Sequence, residues 1–332
     1  MPSLGLKHAG VVVVWLVVGG CLLERGPEPK TPKKSEKEES APWLGEVQIE
    51  KIDGQVWVQK GVAFPGHVLK GGETLEVLSG IAKIRCSSTE ITLWAPSEIL
   101  IANAPARGIW LGWGMVLIKA EKTGHGPSHR PLRLSTPTST IELGEGTQAI
   151  VWTEGNGSTH LFVRSGHAEV FTGEVDLRRV LKSIRVEAGT EIQVSERGEE
   201  NVVPREDFDQ ALIDGISKIQ NQNRPTLAFS SPSFRLLLER FDEAIGWLEQ
   251  EERKGWELAI RHRAAIRSGQ QAMAIEQQKR LAIHAKSVYH LRETVLVRWE
   301  RIGATALLSG KNPFMWSEIA RRFERLSVLI GA

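Results

Sequence analysis

Hydrophobic and polar positions change their spacing three times along the chain. Ala9 to Val18 (AGVVVVWLVV) is an unbroken apolar run, and Glu24 to Ser40 (ERGPEPKTPKKSEKEES) has no apolar period at all. From Trp43 the period is two. Val47 and Ile49, then Val56 and Val58, alternate with polar residues on either side of Asp53-Gly54, which predicts a hairpin closed by a type I′ turn. Further short strands are expected at Ala82–Cys86, Ile91–Trp94, Met115–Ile118, Ala149–Thr153, Leu161–Val163, Ala168–Val170 and Ile192–Val194, many of them ending near glycine. The pair around Gly166 reads as a second hairpin, over Leu161–Val170. With no helical pattern of 10 to 15 residues between these strands, a sandwich, barrel or roll is expected rather than a parallel sheet with helical crossovers.

Beyond Val203-Pro204 the spacing becomes helical. Glu206–Asn221 suits a short amphipathic helix, with Phe208, Ala211, Leu212 and Ile216 as its apolar positions. Ser231-Pro232 is a helix start. From Ser233 to about Arg267, Phe234, Leu238, Phe241, Ile245 and Leu248 recur at three and four, predicting one buried stripe. Ser268-Gly269 breaks that helix, and a second runs from Gln270 to about Ala306 with Leu281, Val288, Val295 and Ile302 seven apart. Lys311-Asn312-Pro313 precedes a last helix, Phe314–Ile330. The expected arrangement is an antiparallel hairpin. Leu236, Trp247 and Leu258, spaced by eleven, form a second apolar strip that needs a cover. Two covers are open. The last helix, through Phe314, Trp316, Ile319 and Phe323, completes a three-helix bundle, the commoner fate of such a stripe; or the strip receives a protein partner, with Trp247 as anchor.

Composition bounds the chemistry. A chain of 332 residues with 41% hydrophobic and 25% charged residues is globular with a tail, and its net charge of +2 gives no broad field that favours nucleic acid. Two cysteines, Cys21 and Cys86, make neither a disulfide framework nor a thiolate metal site; Cys86 reads as a buried small hydrophobe. Gly61–Gly66 (GVAFPG) lacks the lysine of a phosphate loop, and Gly144-Glu145-Gly146 leads into a strand where a dinucleotide site opens a helix. His125 and His129 flank a Gly-Pro-Ser loop that does not align them on a metal. His160 and His167 are expected to face solvent, as is the charge run Glu249, Glu251, Glu252 and Arg253. A non-enzymatic protein without metal or cofactor is expected.

Lys7 and His8 precede the apolar run, which is shorter than the roughly 20 residues of a membrane-spanning helix and fits a signal peptide over residues 1–20. Val18-Gly19-Gly20-Cys21 resembles the lipobox of bacterial lipoproteins. That resemblance implies lipidation of Cys21 as the mature N-terminus, and Leu22 in place of aspartate implies outer-membrane sorting. Residues 21–42 would then be a lipidated, solvated tether.

The region from Gly45 to Arg197 resembles the FecR-like domain of bacterial envelope proteins. The matching pieces are Gly54-Gln55-Val56-Trp57-Val58, Leu69-Lys70-Gly71-Gly72-Glu73-Thr74-Leu75, Ser135-Thr136-Pro137, Gly146-Thr147-Gln148-Ala149-Ile150-Val151, and Val163-Arg164-Ser165-Gly166-His167-Ala168-Glu169-Val170. Ile101–Gly126, with Trp110 and Trp113, departs from the pattern. The family's best-known member signals to a sigma factor through a cytoplasmic N-terminal domain, but only about ten residues precede the apolar run, against the 50 or so of a small domain, so that route is not expected here.

The expected protein has a β-rich, FecR-like roll or sandwich (43–200) followed by a helical hairpin or three-helix bundle (205–332). It is expected to face the periplasm, anchored to the membrane through Cys21, as a non-catalytic binding or signalling scaffold for an envelope protein partner. The alternatives are a peptidoglycan-binding structural protein and an envelope hydrolase whose site has no recognisable motif.

Overall fold

The computed structural model describes residues 46–59, 61–102, 108–122, 131–172, 183–221, 232–308 and 313–330. The apolar run, Cys21, the tether, His125 and His129 lie outside the described residues. In chain order the strands are β1 (Val47–Asp53), β2 (Val56–Val58), β3 (Gly61–Val62), β4 (Val68–Leu69), β5 (Thr74–Val77), β6 (Ile81–Cys86), β7 (Thr89–Ile101), β8 (Ile109–Ala120), β9 (Leu132–Ser135), β10 (Ser139–Leu143), β11 (Gln148–Thr153), β12 (Thr159–Ser165), β13 (His167–Thr172), β14 (Ser183–Glu187), β15 (Thr190–Val194) and β16 (Glu200–Pro204). Four helices follow: α1 (Phe208–Gln220), α2 (Pro232–Arg267), α3 (Gln271–Leu308) and α4 (Pro313–Ile330).

Two long strands organise the sheet. The first half of β7 pairs with β6 and its second half with β5, and β8 runs antiparallel along both halves across a register shift at Trp94/Glu98. The sheet therefore divides into two wings. One has the order β4-β1-β6-β7-β8-β11-β12-β15-β16, the other β3-β2-β5-β7-β8-β9-β10-β13-β14. Pairing is antiparallel except between β8 and β9. Inward residues of both wings, among them Ile84, Leu93, Val116 and Val151 from one and Leu75, Ile99, Leu111 and Ile141 from the other, meet in a single core. Period-two alternation places them there, since every second side chain of a strand points to the same face.

Neither expected hairpin forms. β1 pairs with β4 and β6, whereas β2 pairs with β3 and β5. Gly54, at φ +116°, turns the chain from one wing into the other, so close to the Ser79 carbonyl that a Cβ would lie 2.2 Å from its oxygen. Gly166 does the same between β12 and β13, which belong to different wings. Turn residues mark where the chain reverses; they do not choose its hydrogen-bonding partner. β8 is longer than expected because both its faces are covered, which erases alternation.

The helices cover the outer faces. α1, capped by the Asp207 carboxylate accepting from the Gln210 N–H (2.9 Å), joins Phe208, Ala211 and Ile219 to Met115, Leu117, Ile150, Trp152 and Phe162. α2, α3 and α4 cover Leu100 and Trp110 on the other wing. The change from strand to helix falls where expected, yet sheet and helices share these cores, and Pro42–Ile330 form one compact unit. Ser268-Gly269 breaks α2 as expected: Gly269 (φ +70°) donates to Ile266 O and Gln270 to Ala265 O, a Schellman end. The stripe Phe234, Leu238, Phe241, Ile245 and Leu248 is buried. Ile319 and Leu326 of α4 join the same core, with Phe323 packed against it. Among the described residues no helix is long and apolar enough to cross a membrane.

Candidate functional site

A largely buried group of titratable side chains lies beneath α1. His160, on β12, is 2% exposed and stacks on Trp152 of β11, with centroids 4.5 Å apart and planes 9° from parallel. Its Nε2 is 3.0 Å from Glu154 and its Nδ1 3.3 Å from Glu191. Ionised carboxylates only accept, so both contacts are satisfied together when both ring nitrogens carry hydrogen, the imidazolium form. Burial works against that charge, but the hydrogen bonds to Glu154 and Glu191 outweigh it and raise the pKa of His160 above the ordinary imidazole value. Glu154 is pulled down to about 2, chiefly by its hydrogen bond to His160. Glu191 is also lowered, because bonds from His160 and Arg205 exceed the penalty of burial.

Two further cations close the group. Lys218 of α1 reaches Glu154 (3.2 Å), and Arg205 bridges Glu191 and Asp214 of α1. The cluster is thus a clasp between sheet and helix. A ring 2% exposed and held at both nitrogens cannot exchange protons with a substrate, and the expectation that His160 faces solvent is corrected. A strand next to a second, helical layer has no wet face; the helical signal of α1 could have shown this. His167 is half-buried at the Gly144 turn.

The clasp has a defined pH response. The contribution of His160, whose folded pKa is raised, is complete below the ordinary imidazole range and is lost as pH climbs through the raised value; those of Glu154 and Glu191 are lost as pH falls below the carboxylate range. The urea midpoint of the wild-type chain should therefore fall between neutral and alkaline pH, and His160→Gln should lower the neutral-pH midpoint and flatten that decline. An undiminished decline in the variant would remove His160 as its source.

A second group joins α3 to the other wing. Arg133 of β9, with its side chain 7% exposed, meets Glu142 of β10 (2.6 Å) and Glu293 and Glu300 of α3 (3.3 and 3.4 Å). Glu300, fully buried, also accepts from Ser135 Oγ (3.0 Å), and Arg301 Nε donates to the Pro137 carbonyl (3.4 Å). Burial opposes the charge of Arg133, but the three carboxylates more than offset it and hold its pKa above the ordinary value. The Ser135-Thr136-Pro137 segment, singled out in the sequence, is therefore the seat of a helix.

The charge run on α2 is not simply solvated: Glu249 pairs with Arg325 of α4 (2.8 Å) and Glu252 with Arg292 of α3 (2.6 Å). Trp247 and Leu258 are half-buried, and the side chain of Leu236 lies outside the described residues. Gly246 and Gly255 do not interrupt α2. Cys86 is 4% exposed and its thiol is pushed up to about 12 by burial, as suits a core residue. No cluster of three or more metal-ligating side chains occurs among the described residues.

Sequence reasoning did not anticipate the far half of the α2–α3 hairpin. Between Glu249 and Ser287 only Ala265 is buried among the described residues, and Trp256, Ile260, Ile266, Met273, Ile275 and Ile283 are exposed. This pair of helices is an arm without a core of its own.

No family model matches the chain, and no curated protein matches it. Solved structures similar in part include two of candidate anti-sigma factors from Parabacteroides distasonis. One, solved at 2.50 Å, has 15% identity and a TM-score of 0.31 over 40% of this chain and 59% of that one. The other, at 1.65 Å, has 14% identity and a TM-score of 0.34 over 45% of this chain and 76% of that one. This chain thus spans less than two thirds of the first of these. Overlaps so partial leave the function of the chain to its own residues.

Proposed function

We propose that this chain is a non-catalytic binding scaffold of the bacterial envelope, carried on a lipidated Cys21 and a flexible tether, with a FecR-like β region supporting helices that engage a partner. The observation that carries the reading is how the molecule uses its side chains. Its most reactive-looking groups, His160 with Glu154 and Glu191, tied to α1 through Lys218 and Arg205, and Arg133 with Glu300, join layers of the fold. Much of its exposed apolar surface instead stands on an outlying pair of helices, with more at the sheet edge around Trp57, Val62 and Phe64, and such surface marks interaction rather than turnover. The Val18-Gly19-Gly20-Cys21 sequence and the polar stretch after it support the anchor.

Stable anchoring takes more than one acyl chain. Wild-type protein should partition into the detergent phase with an acylated mature N-terminus, and Cys21→Ser should move it to the aqueous phase. A wild-type chain carrying an unmodified Cys21 by mass would overturn the anchor. Turnover of ester, peptide, phosphate or glycan substrates by the purified chain would overturn the non-catalytic reading.

A further inference from the structure

The arm has a charge as unusual as its lack of a core. From Gln250 to Lys286 the sequence carries eight Lys and Arg against four acidic residues, Glu251, Glu252, Glu257 and Glu276, a formal +4 on a chain whose remainder sums to −2. Glu257 and Glu276 are already engaged by Arg261 (3.7 Å) and Arg280 (3.0 Å), while Arg263, Arg267 and Lys279 meet no carboxylate among the described residues. At 100° per residue, Trp256, Ile260, Arg263 and Arg267 fall within about 60° of one another on α2, and Ile275, Lys279, Ile283 and Lys286 within about 80° on α3. Each helix therefore mixes apolar and cationic side chains on one outward stripe. Ile260, Arg263, Ala264, Arg267 and Ser268 line an open recess at the far end.

We propose that the end of this arm is a membrane-surface site: its apolar side chains enter the headgroup layer of a bilayer containing anionic lipid, and its arginines and lysines meet the lipid phosphates. Charge complementarity selects the anionic surface. Six exposed apolar residues select lipid over nucleic acid, because they gain from the acyl boundary and offer nothing to a phosphate backbone. The arm would then be a second contact with a membrane, independent of any acyl chain on Cys21, and would fix the orientation of the β region on its tether.

The test uses the full chain carrying Cys21→Ser and Ile266→Cys, labelled at the new thiol with a polarity-sensitive dye; buried Cys86 does not compete. The probes are phosphatidylcholine vesicles with and without phosphatidylglycerol. The dye sits on the arm, so the difference between the two kinds of vesicle reads the arm, and the absence of lipidation separates this result from the fate of the anchor. The expected result is a blue shift with quenching by spin-labelled acyl chains on the anionic vesicles, reversed by high salt. Arg263→Gln, Arg267→Gln and Lys279→Gln together should weaken it about a hundredfold with an unchanged thermal midpoint. No blue shift on anionic vesicles, an equal shift on both kinds, or a shift produced by an oligonucleotide alone would overturn the proposal.

Discussion

Replacing Arg133 with Met should cost about 3–5 kcal/mol, among the largest effects of any single substitution in this chain, because it leaves the fully buried Glu300 without its guanidinium. Glu300 would keep its bond from Ser135, a neutral donor that does not replace the charge of the guanidinium. In a chain of this size about 1.5 °C of thermal midpoint follows each kcal/mol, so a drop of about 5–8 °C is expected, with an earlier urea midpoint. Arg133→Met combined with Glu300→Leu should recover much of the loss, since a buried ion pair is costly to break and often cheap to replace whole. A single substitution costing less than about 1 kcal/mol, or a double variant no better than the single, would show that Glu300 does not depend on Arg133.

The second large effect turns on sign. Gly→Ala inside an exposed helix stabilises it by up to about 1 kcal/mol, and Gly246→Ala should do so, because a Cβ there meets nothing within 4 Å. At Gly303 the same change should destabilise by about 3 kcal/mol, the upper end for overpacking, since a Cβ would fall 2.0 Å from the Trp110 ring. The facing strand has the reciprocal gap, with Gly112 lying under Leu307. Helix and sheet approach through two glycines, and neither the indole nor the backbone can retreat. Urea unfolding of the two alanine variants measures the contrast. Stabilisation at both positions would mean that α3 does not rest on β8.

Helix limits were legible in this sequence almost to the residue, because Ser231-Pro232, Ser268-Gly269 and Pro313 punctuate patterns long enough to average over. Strand positions were legible where one face was polar, as in β6 and β13. They failed at β8, where Trp110 faces helices and Leu111 the inner core, leaving no polar phase to read. Pairing was not legible: Asp53-Gly54 and Gly166 marked reversals correctly but became corners between wings. The candidate site suffered from the same blindness to layers. Val288, Val295 and Ile302 did mark a helix seam and are buried, but Glu300, on the same helix, belongs to a face that meets the sheet 165 residues away from Ser135. Charge on a helix reads as solvated until the second layer is known. The +4 on the arm was visible only after the fold had shown which residues stand together.

The docking of α3 also bears on how the chain must be made. The sheet is complete by Pro204, but Leu100 and Trp110 on its outer wing are covered only when Thr294–Leu308 arrive, some 90 residues later in synthesis. Until then the wing presents a bare apolar surface, interrupted by a glycine groove, to anything nearby. Such intermediates are prone to association, so the two regions that look separable by element type are obliged to mature together. A nascent chain stopped before α3 holds a finished sheet that still needs shelter.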